Sequence, residues 1–323
     1  MKDERRCDAV IIGAAIADIL LRPVDETVFS TGSCAVDSIR MSVGGDALNE
    51  ATVLARLGHA PMLATKLGCD GVADFILAHC AREGVAVHAV RDGAMDTGIN
   101  AVLVRPDGER SFVTNRNGSL RRLSLEDALS ALETPAFVQA RAVCLASMFV
   151  SPQLGLTEME ALFAKIKSAG KLLCADSTKR KHGETVADAA GALGYLDYFL
   201  PNLDEAQLLT GCDEPDAMAD ALLDAGVKHV ALKLGGRGCL LKSGEERVIV
   251  PAYPDAVCVD TTGAGDTFAA AFIAALLEGR SFAECGAYAN AAASVCIERL
   301  GATSAKLAPA EVCRRYERIL LRM

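Results

Sequence analysis

The order of apolar segments predicts an α/β protein: a mainly parallel central sheet, helices on both of its faces, and a small second sheet. Two observations carry this. Apolar runs of strand length alternate with helical patterns of about 10 to 15 residues, as β-strands joined by crossover helices do. Two segments, 15–43 and 97–115, break that alternation and read as strands that pair with each other. The 323 residues, 51% of them hydrophobic, suffice for one large domain over 1–323 with a small appendage.

The elements follow in order. AVIIGA (9–14) reads as a buried strand. Segment 15–43 holds no convincing helix, and SIRMSV reads as an edge strand. DALNEATVLARLG (46–58) places Leu48, Ala51, Leu54, Ala55 and Leu57 on one helical face, with Asp46 as N-cap and Gly58 as the stop. PMLATKLG is a strand, and 70–84 is a helix ending at Gly84. Segment 97–115 is a hairpin turning at Pro106-Asp107-Gly108. Strands at 142–147, 171–176, 196–202 and 229–235 alternate with helices at 155–168 and 203–225, and 239–253 is a second hairpin. Helices 266–279 and 282–298 are rich in Ala, which permits close packing.

Charge and composition exclude several classes. A net charge of -9 disfavours a nucleic-acid partner, which needs a basic face. There is no secretory leader and no run of about 20 apolar residues, so a cytoplasmic protein with no membrane partner is expected. None of the 12 Cys forms a CxxC pair and the 5 His form no HExxH, which argues against structural zinc and for buried free thiols.

DTTGAGDTFAAAFIAALLEG (260–279) concentrates the chemistry. VCVD reads as a strand ending at Asp260, TTGAG as a turn of small residues, and the remainder as a helix stopped by Gly279. Such a unit aims free backbone N–H groups at an anion. Asp266 in the first turn suits either a helix cap or a site residue. No GxxxxGK[ST] occurs, and GAGDTF has Phe268 where a dinucleotide fingerprint needs its third glycine.

DTTGAGDTFAAAF resembles the C-terminal signature of the ribokinase-type (PfkB) carbohydrate kinases. GGDALNEATVLARLGHAPMLATKLG (44–68) resembles their N-terminal one, PNLDE (201–205) their Asn-x-x-Glu element, and KLGGRGCLL (233–241) their nucleotide-side glycine segment. The resemblance runs from about residue 8 to about residue 305. It implies a ribokinase-like three-layer α/β/α sandwich with a β-sheet lid, formed by 15–43 and 97–115, and transfer of the γ-phosphate of ATP to a hydroxyl, most simply a primary one, of a ketose, aldose or sugar acid. It further implies Asp266 as general base, the amides of Gly263, Ala264 and Gly265 as anion hole, and Asp18, Gly44, Gly45 and Asn49 on the sugar. Asn202, Lys233, Gly235, Gly236, Gly238 and Asn290 would line ATP, and Glu205 would hold Mg²⁺ through water. Asp260 and Thr262, with Gly301 and Ser304 in a closing loop, would neighbour a monovalent cation such as K⁺. A homodimer through the lid is expected.

Three positions depart from the pattern. Thr178 stands in ADSTKR where relatives often carry Asn, between Asp176 and Arg180, which remain. Asp46 stands where ribokinases themselves usually carry Lys. Arg110 and Arg116, on or near the lid hairpin, suit either an acidic sugar or solvent. The alternatives to a sugar kinase are a nucleoside kinase on the same fold, weakened by 5% aromatics and no Trp, and a non-catalytic sugar or nucleotide sensor.

Overall fold

A computed structural model describes residues 6–303 and 307–323. Ser304 lies outside the described residues. The chain opens with β1 (Ala9–Ile12), β2 (Ile16–Arg22), α1 (Val28–Thr31), β3 (Ser38–Gly44), α2 (Asp46–Arg56), β4 (Pro61–Gly68), α3 (Gly71–Glu83) and β5 (Ala86–Asp92). It continues with β6 (Ile99–Val104), β7 (Arg110–Thr114), α4 (Leu125–Leu132), α5 (Pro135–Gln139), β8 (Ala142–Met148), α6 (Leu156–Ser168) and β9 (Leu172–Ser177). Then come α7 (Val186–Leu193), β10 (Tyr198–Phe199), α8 (Leu203–Thr210), α9 (Pro215–Asp224), β11 (His229–Lys233), β12 (Cys239–Ser243) and β13 (Arg247–Val250). Three helices close the chain: α10 (Ala264–Leu277), α11 (Phe282–Cys296) and α12 (Pro309–Leu320).

Among the described residues nine strands form the central sheet, in the order β13-β12-β11-β10-β9-β8-β1-β4-β5. All pairs are parallel except those of the β11–β12–β13 meander. Side chains alternate across it. Ile11, Leu63, Cys144 and Cys174 face α2, α10, α11 and α12. Val10, Ile12, Val143, Leu145 and Leu173 face α4, α6, α7 and α9. This two-residue alternation makes three layers out of near-continuous apolar strands. Helix α10 is buried from Thr267 to Ala275, and its alanines let α11 lie close against it.

β1 has β4 on one side and β8 on the other. The strand order reverses there, and in open α/β sheets ligands bind beyond the carboxyl ends of the strands at such a point. The N-termini of α2 and α10 both lie near it.

The small sheet has the order β3-β2-β6-β7, with β3 an edge strand. Its parity sorts the side chains. Ser42, Asp18, Asn100 and Thr114 form one cross-strand row, and Arg110 lies on the same face. Ile39, Met41, Ile19, Leu21, Ala101, Leu103 and Val113 form the other face.

Some expectations need correction. Residues 257–260 are not a strand. Val257 and Val259 are exposed, and the amides of Val259 and Asp260 donate to the Ile297 carbonyl at the end of α11 instead of to a sheet. Asp46 is not the cap of α2. Gly45 holds that position at φ 94°, and the Asp46 carboxylate turns to β8.

Candidate active site

Asp266 does not cap its own helix. The N-cap of α10 is Gly263, at φ 76°, and no side chain caps the first turn. The Asp266 carboxylate instead accepts 2.7 Å from the Asn49 side-chain amide of α2. A Cβ on Gly263 would lie 2.5 Å from the Ala302 Cβ, so only glycine lets the turn rest on that loop. Of the three candidate anion-hole amides, that of Ala264 turns back to the Thr261 carbonyl at 3.1 Å. It must leave that bond before it can serve an anion.

Burial first, and then the nearby Asp46 carboxylate, push the Asp266 carboxyl well above the ordinary carboxylate range; Asn49 and Lys233 pull it back. Burial also raises Asp46, opposed by Ser147, Lys233 and Lys181. The Ser147 hydroxyl donates to Asp46 at 2.5 Å, tying α2 to the end of β8.

Asp18 reaches this place from the small sheet. Asn100 donates to it at 3.0 Å, and Thr114 donates to Asn100 at 2.8 Å. Burial raises the Asp18 carboxyl, and the Asn100 hydrogen bond opposes it. A Cβ on Gly44 would stand 2.1 Å from Asp18 Oδ2, and one on Gly45 2.5 Å from the Ala14 carbonyl. These glycines let acid and backbone meet. The structure thus brings Asp18, Gly44, Gly45, Asn49 and Asp266 together.

A pocket of about 530 Å³ adjoins them, and its lining includes Asn202, Lys233, Gly235, Gly236, Gly238, Ala264, Gly265 and Asn290. Lys233 donates to both Asp176 oxygens at 2.7 Å. Burial lifts Asp176 to about 7 against the pull of Lys233. Asn202 and Glu205 form a reciprocal capping box on α8, with contacts at 2.9 and 3.0 Å, and Ser177 also donates to Glu205. Asn290 is a wall residue. Its amide donates at 3.1 Å to the carbonyls of both Val250 and Pro251.

Asp260 is buried and Thr262 partly so, and both are engaged from within the chain. Arg110 of β7 pairs with Asp260 at 2.9 Å and donates to the Thr262 hydroxyl, while the Gly301 amide donates to Asp260 at 2.8 Å. Arg110 is therefore engaged within the chain, and Arg116 is exposed. Thr178 bonds the Met148 carbonyl at 3.1 Å, and Arg180 bonds the carbonyls of Gly183 and Glu184.

Sequence reasoning missed Asn100, Thr114, Ser147 and Glu50. The first two had a signal: polar residues at alternate positions of apolar strands. Glu50 had none. It is 0% exposed, and among the described residues no N–H or hydroxyl donor reaches its carboxyl oxygens, which lie by the Cys144 thiol. Burial, then Asp176 and Asp266, raise it well above the ordinary range. Among the described residues no cluster of three or more His, Cys, Asp or Glu could hold a metal, and no helix is long and apolar enough to cross a membrane.

Known proteins resemble this chain over most of its length. The ribokinase of Arabidopsis thaliana is 28% identical over 313 residues, covering 91% of this chain and 76% of its own. The 2-dehydro-3-deoxygluconokinase of Bacillus subtilis (strain 168) is 28% identical over 280 residues, covering 82% and 84%. A solved structure of Arabidopsis thaliana ribokinase complexed with ribose and ATP superposes with a TM-score of 0.79 at 26% identity, covering 97% of this chain and 99% of that one. Residues 7–309 match the pfkB family carbohydrate kinase description. The chain therefore belongs to the pfkB family of carbohydrate kinases, phosphotransferases that act on sugars.

Proposed function

We propose that this kinase transfers the γ-phosphate of ATP to a primary hydroxyl of a neutral ketose or aldose. One observation carries the reading: the Asp266 carboxylate, held by Asn49, stands at the start of α10 between the Asp18 row and the 530 Å³ pocket. A sugar hydroxyl beside Asp266 would lose its proton to that carboxylate as its oxygen attacks. The amides of Gly263, Ala264 and Gly265 would face the transferred group, and Lys233, whose Nζ lies 3.4 Å from where a Gly265 Cβ would stand, would neutralise phosphate charge beside them. Asp18, Asn100 and the Gly44-Gly45 backbone would hold the remaining hydroxyls, since an acceptor-only carboxylate suits a diol.

Asp18, Asp46 and Asp266 disfavour a sugar acid electrostatically. The cations facing Asp46 are Lys181 and Lys233, and Lys233 is assigned to the phosphates. Mg²⁺ suits Glu205 and Asn202 through water, because it keeps several waters and uses few carboxylates. It would neutralise the phosphates. The small sheet would serve as a lid that excludes water from the γ-phosphate. Its outer face is apolar, with Ile39 65%, Met41 51% and Val113 59% exposed, which suits a second copy and a homodimer. The 12 free cysteines fit the reducing cytoplasm.

The test is a coupled ADP-release screen over neutral ketoses and aldoses, sugar acids and nucleosides. A neutral sugar should give the highest kcat/KM. Release that no sugar raises above the no-acceptor rate would overturn the reading, and a nucleoside as best substrate would replace it.

A further inference from the structure

Arg110 belongs to the small sheet, yet its partners belong to the turn that opens α10. Its guanidinium lies 2.9 Å from Asp260 Oδ2 and donates to the Thr262 hydroxyl. The Asp260 side chain is only 4% exposed, and it gathers three further donors. The Thr262 amide donates at 2.9 Å, the Thr262 hydroxyl at 2.7 Å and the Gly301 amide at 2.8 Å.

One carboxylate thus joins three segments: β7, the 260–263 turn, and the 301–302 loop on which Gly263 rests. Burial alone would raise the Asp260 carboxyl, but Arg110 and the surrounding donors hold it down to about 2. A carboxylate this deep needs a positive partner, or it is left as an uncompensated charge. The partner present comes from the chain itself. The sequence resemblance implied a free monovalent cation beside Asp260 and Thr262. Both residues are instead engaged by a planar guanidinium that suits a carboxylate and a hydroxyl at once.

We propose that Arg110 is a positioning residue for phosphoryl transfer: its guanidinium takes the place of a monovalent cation and fixes the Thr262–Gly265 turn when the small sheet is seated. The charge that orders the anion hole arrives with the sheet that covers it. Seating of the sheet and readiness of the turn are then one event. Because no free cation is needed, the wild-type rate is indifferent to potassium. This inference rests on the kinase reading above.

The experiment compares wild type, Arg110→Met and Arg110→Lys in two arms. In the first, kcat and KM are measured with the best sugar in sodium, in potassium, and in sodium with dilute guanidinium. Wild type should run equally in all three. Arg110→Met should lose about 10- to 100-fold in kcat, the range for a small misplacement of reacting groups, with KM for the sugar little changed. Potassium or guanidinium should restore part of that loss, and Arg110→Lys should lie between.

The second arm needs no turnover. Amide hydrogen exchange over 260–265 should quicken in Arg110→Met while exchange in the central strands stays unchanged. Three results overturn the proposal: wild type several-fold faster in potassium than in sodium, wild-type kcat in Arg110→Met, or a loss that neither cation restores and that comes with faster exchange throughout. A wild type inactive on every sugar would refute the kinase reading instead, and the exchange arm would still decide whether Arg110 orders the turn.

Discussion

The side-chain amide of Asn49 donates to the Asp266 carboxylate at 2.7 Å, joining the start of α2 to the start of α10. Two elements far apart in the chain meet at the group that would take the proton. Among the described residues the Asn49 oxygen has no hydrogen-bond partner, though only 5% of the residue is exposed. The amide therefore orients the Asp266 carboxylate, and its oxygen stays free to accept.

Asp266→Asn should keep the fold and ATP binding, because the amide fills the same space beside Asn49. It should lower kcat by about 100-fold or more, the range for losing a positioned base. Single-turnover kinetics beside a nucleotide thermal-shift assay would measure both. Near wild-type turnover would remove Asp266 from the chemistry.

The pH profile gives an independent check on the same pair. Asp266 must be ionised to accept a proton, and its carboxyl titrates well above its ordinary 3.8. Activity should therefore fall on acidification sooner than an exposed carboxylate would allow. The Asn49 hydrogen bond favours the charged form. Asn49→Leu should thus move the acid limb of kcat/KM to higher pH. A limb that stays in place would separate Asn49 from the titration.

Gly44→Ala should act on the sugar and spare the nucleotide. The new methyl would fall 2.1 Å from Asp18 Oδ2 and drive that carboxylate away. Sugar KM should rise by roughly tenfold or more while ATP KM stays within a factor of two, since a misplaced polar contact costs about 1–3 kcal/mol. Equal effects on both constants would count against the assignment of Asp18.

Glu50→Gln should stabilise the protein at neutral pH. The folded state holds the Glu50 proton well above 4.5, where the unfolded chain has released it. The folded state then binds more protons, so stability falls as pH rises above about 4.5. Gln carries no such dependence. Urea unfolding at acid and neutral pH should show a flatter profile for the variant and a gain of roughly 1–3 kcal/mol at neutral pH. An unchanged profile in the variant would show that the fold does not hold the Glu50 proton.

The apolar outer face of the small sheet should mediate self-association. Sedimentation at micromolar concentration should give the mass of two chains, and Met41→Lys with Val113→Lys should give one. A wild-type monomer would refute the dimer.

Local features of this protein were legible, and contacts between remote segments were not. The β6–β7 hairpin showed itself through Pro106-Asp107-Gly108, and α3 through its Gly84 stop. Both depend on neighbours in sequence. The alternation at Val257 and Val259 misled, because two exposed valines without a paired neighbour do not make a strand. The resemblance set Asn202 beside ATP and Glu205 beside Mg²⁺, and the structure joins them in a capping box whose Asn202 lines the pocket. Asp46 looked like a cap and is not one, since its partner Ser147 is 101 positions away. Arg110 meets Thr262 across 152 positions, and no periodicity encodes that distance.

The parallel pairing of β2 with β6 has a consequence for folding. It sets Asp18 against Asn100 across 82 positions, and β4, α3 and β5 lie in the intervening chain. Loop closure of that length is favourable only after the intervening strands have docked on β1. The small sheet should therefore form late, around a central sheet that already exists. Pulse-labelled hydrogen exchange during refolding should protect Val10–Ile12 before Ile19–Leu21, and the reverse order would contradict it. Substitutions in β6 or β7 should then quicken unfolding and leave the folding rate almost untouched. The carboxylate that would choose the sugar sits in the part of the chain free to vary at the least kinetic risk to the rest.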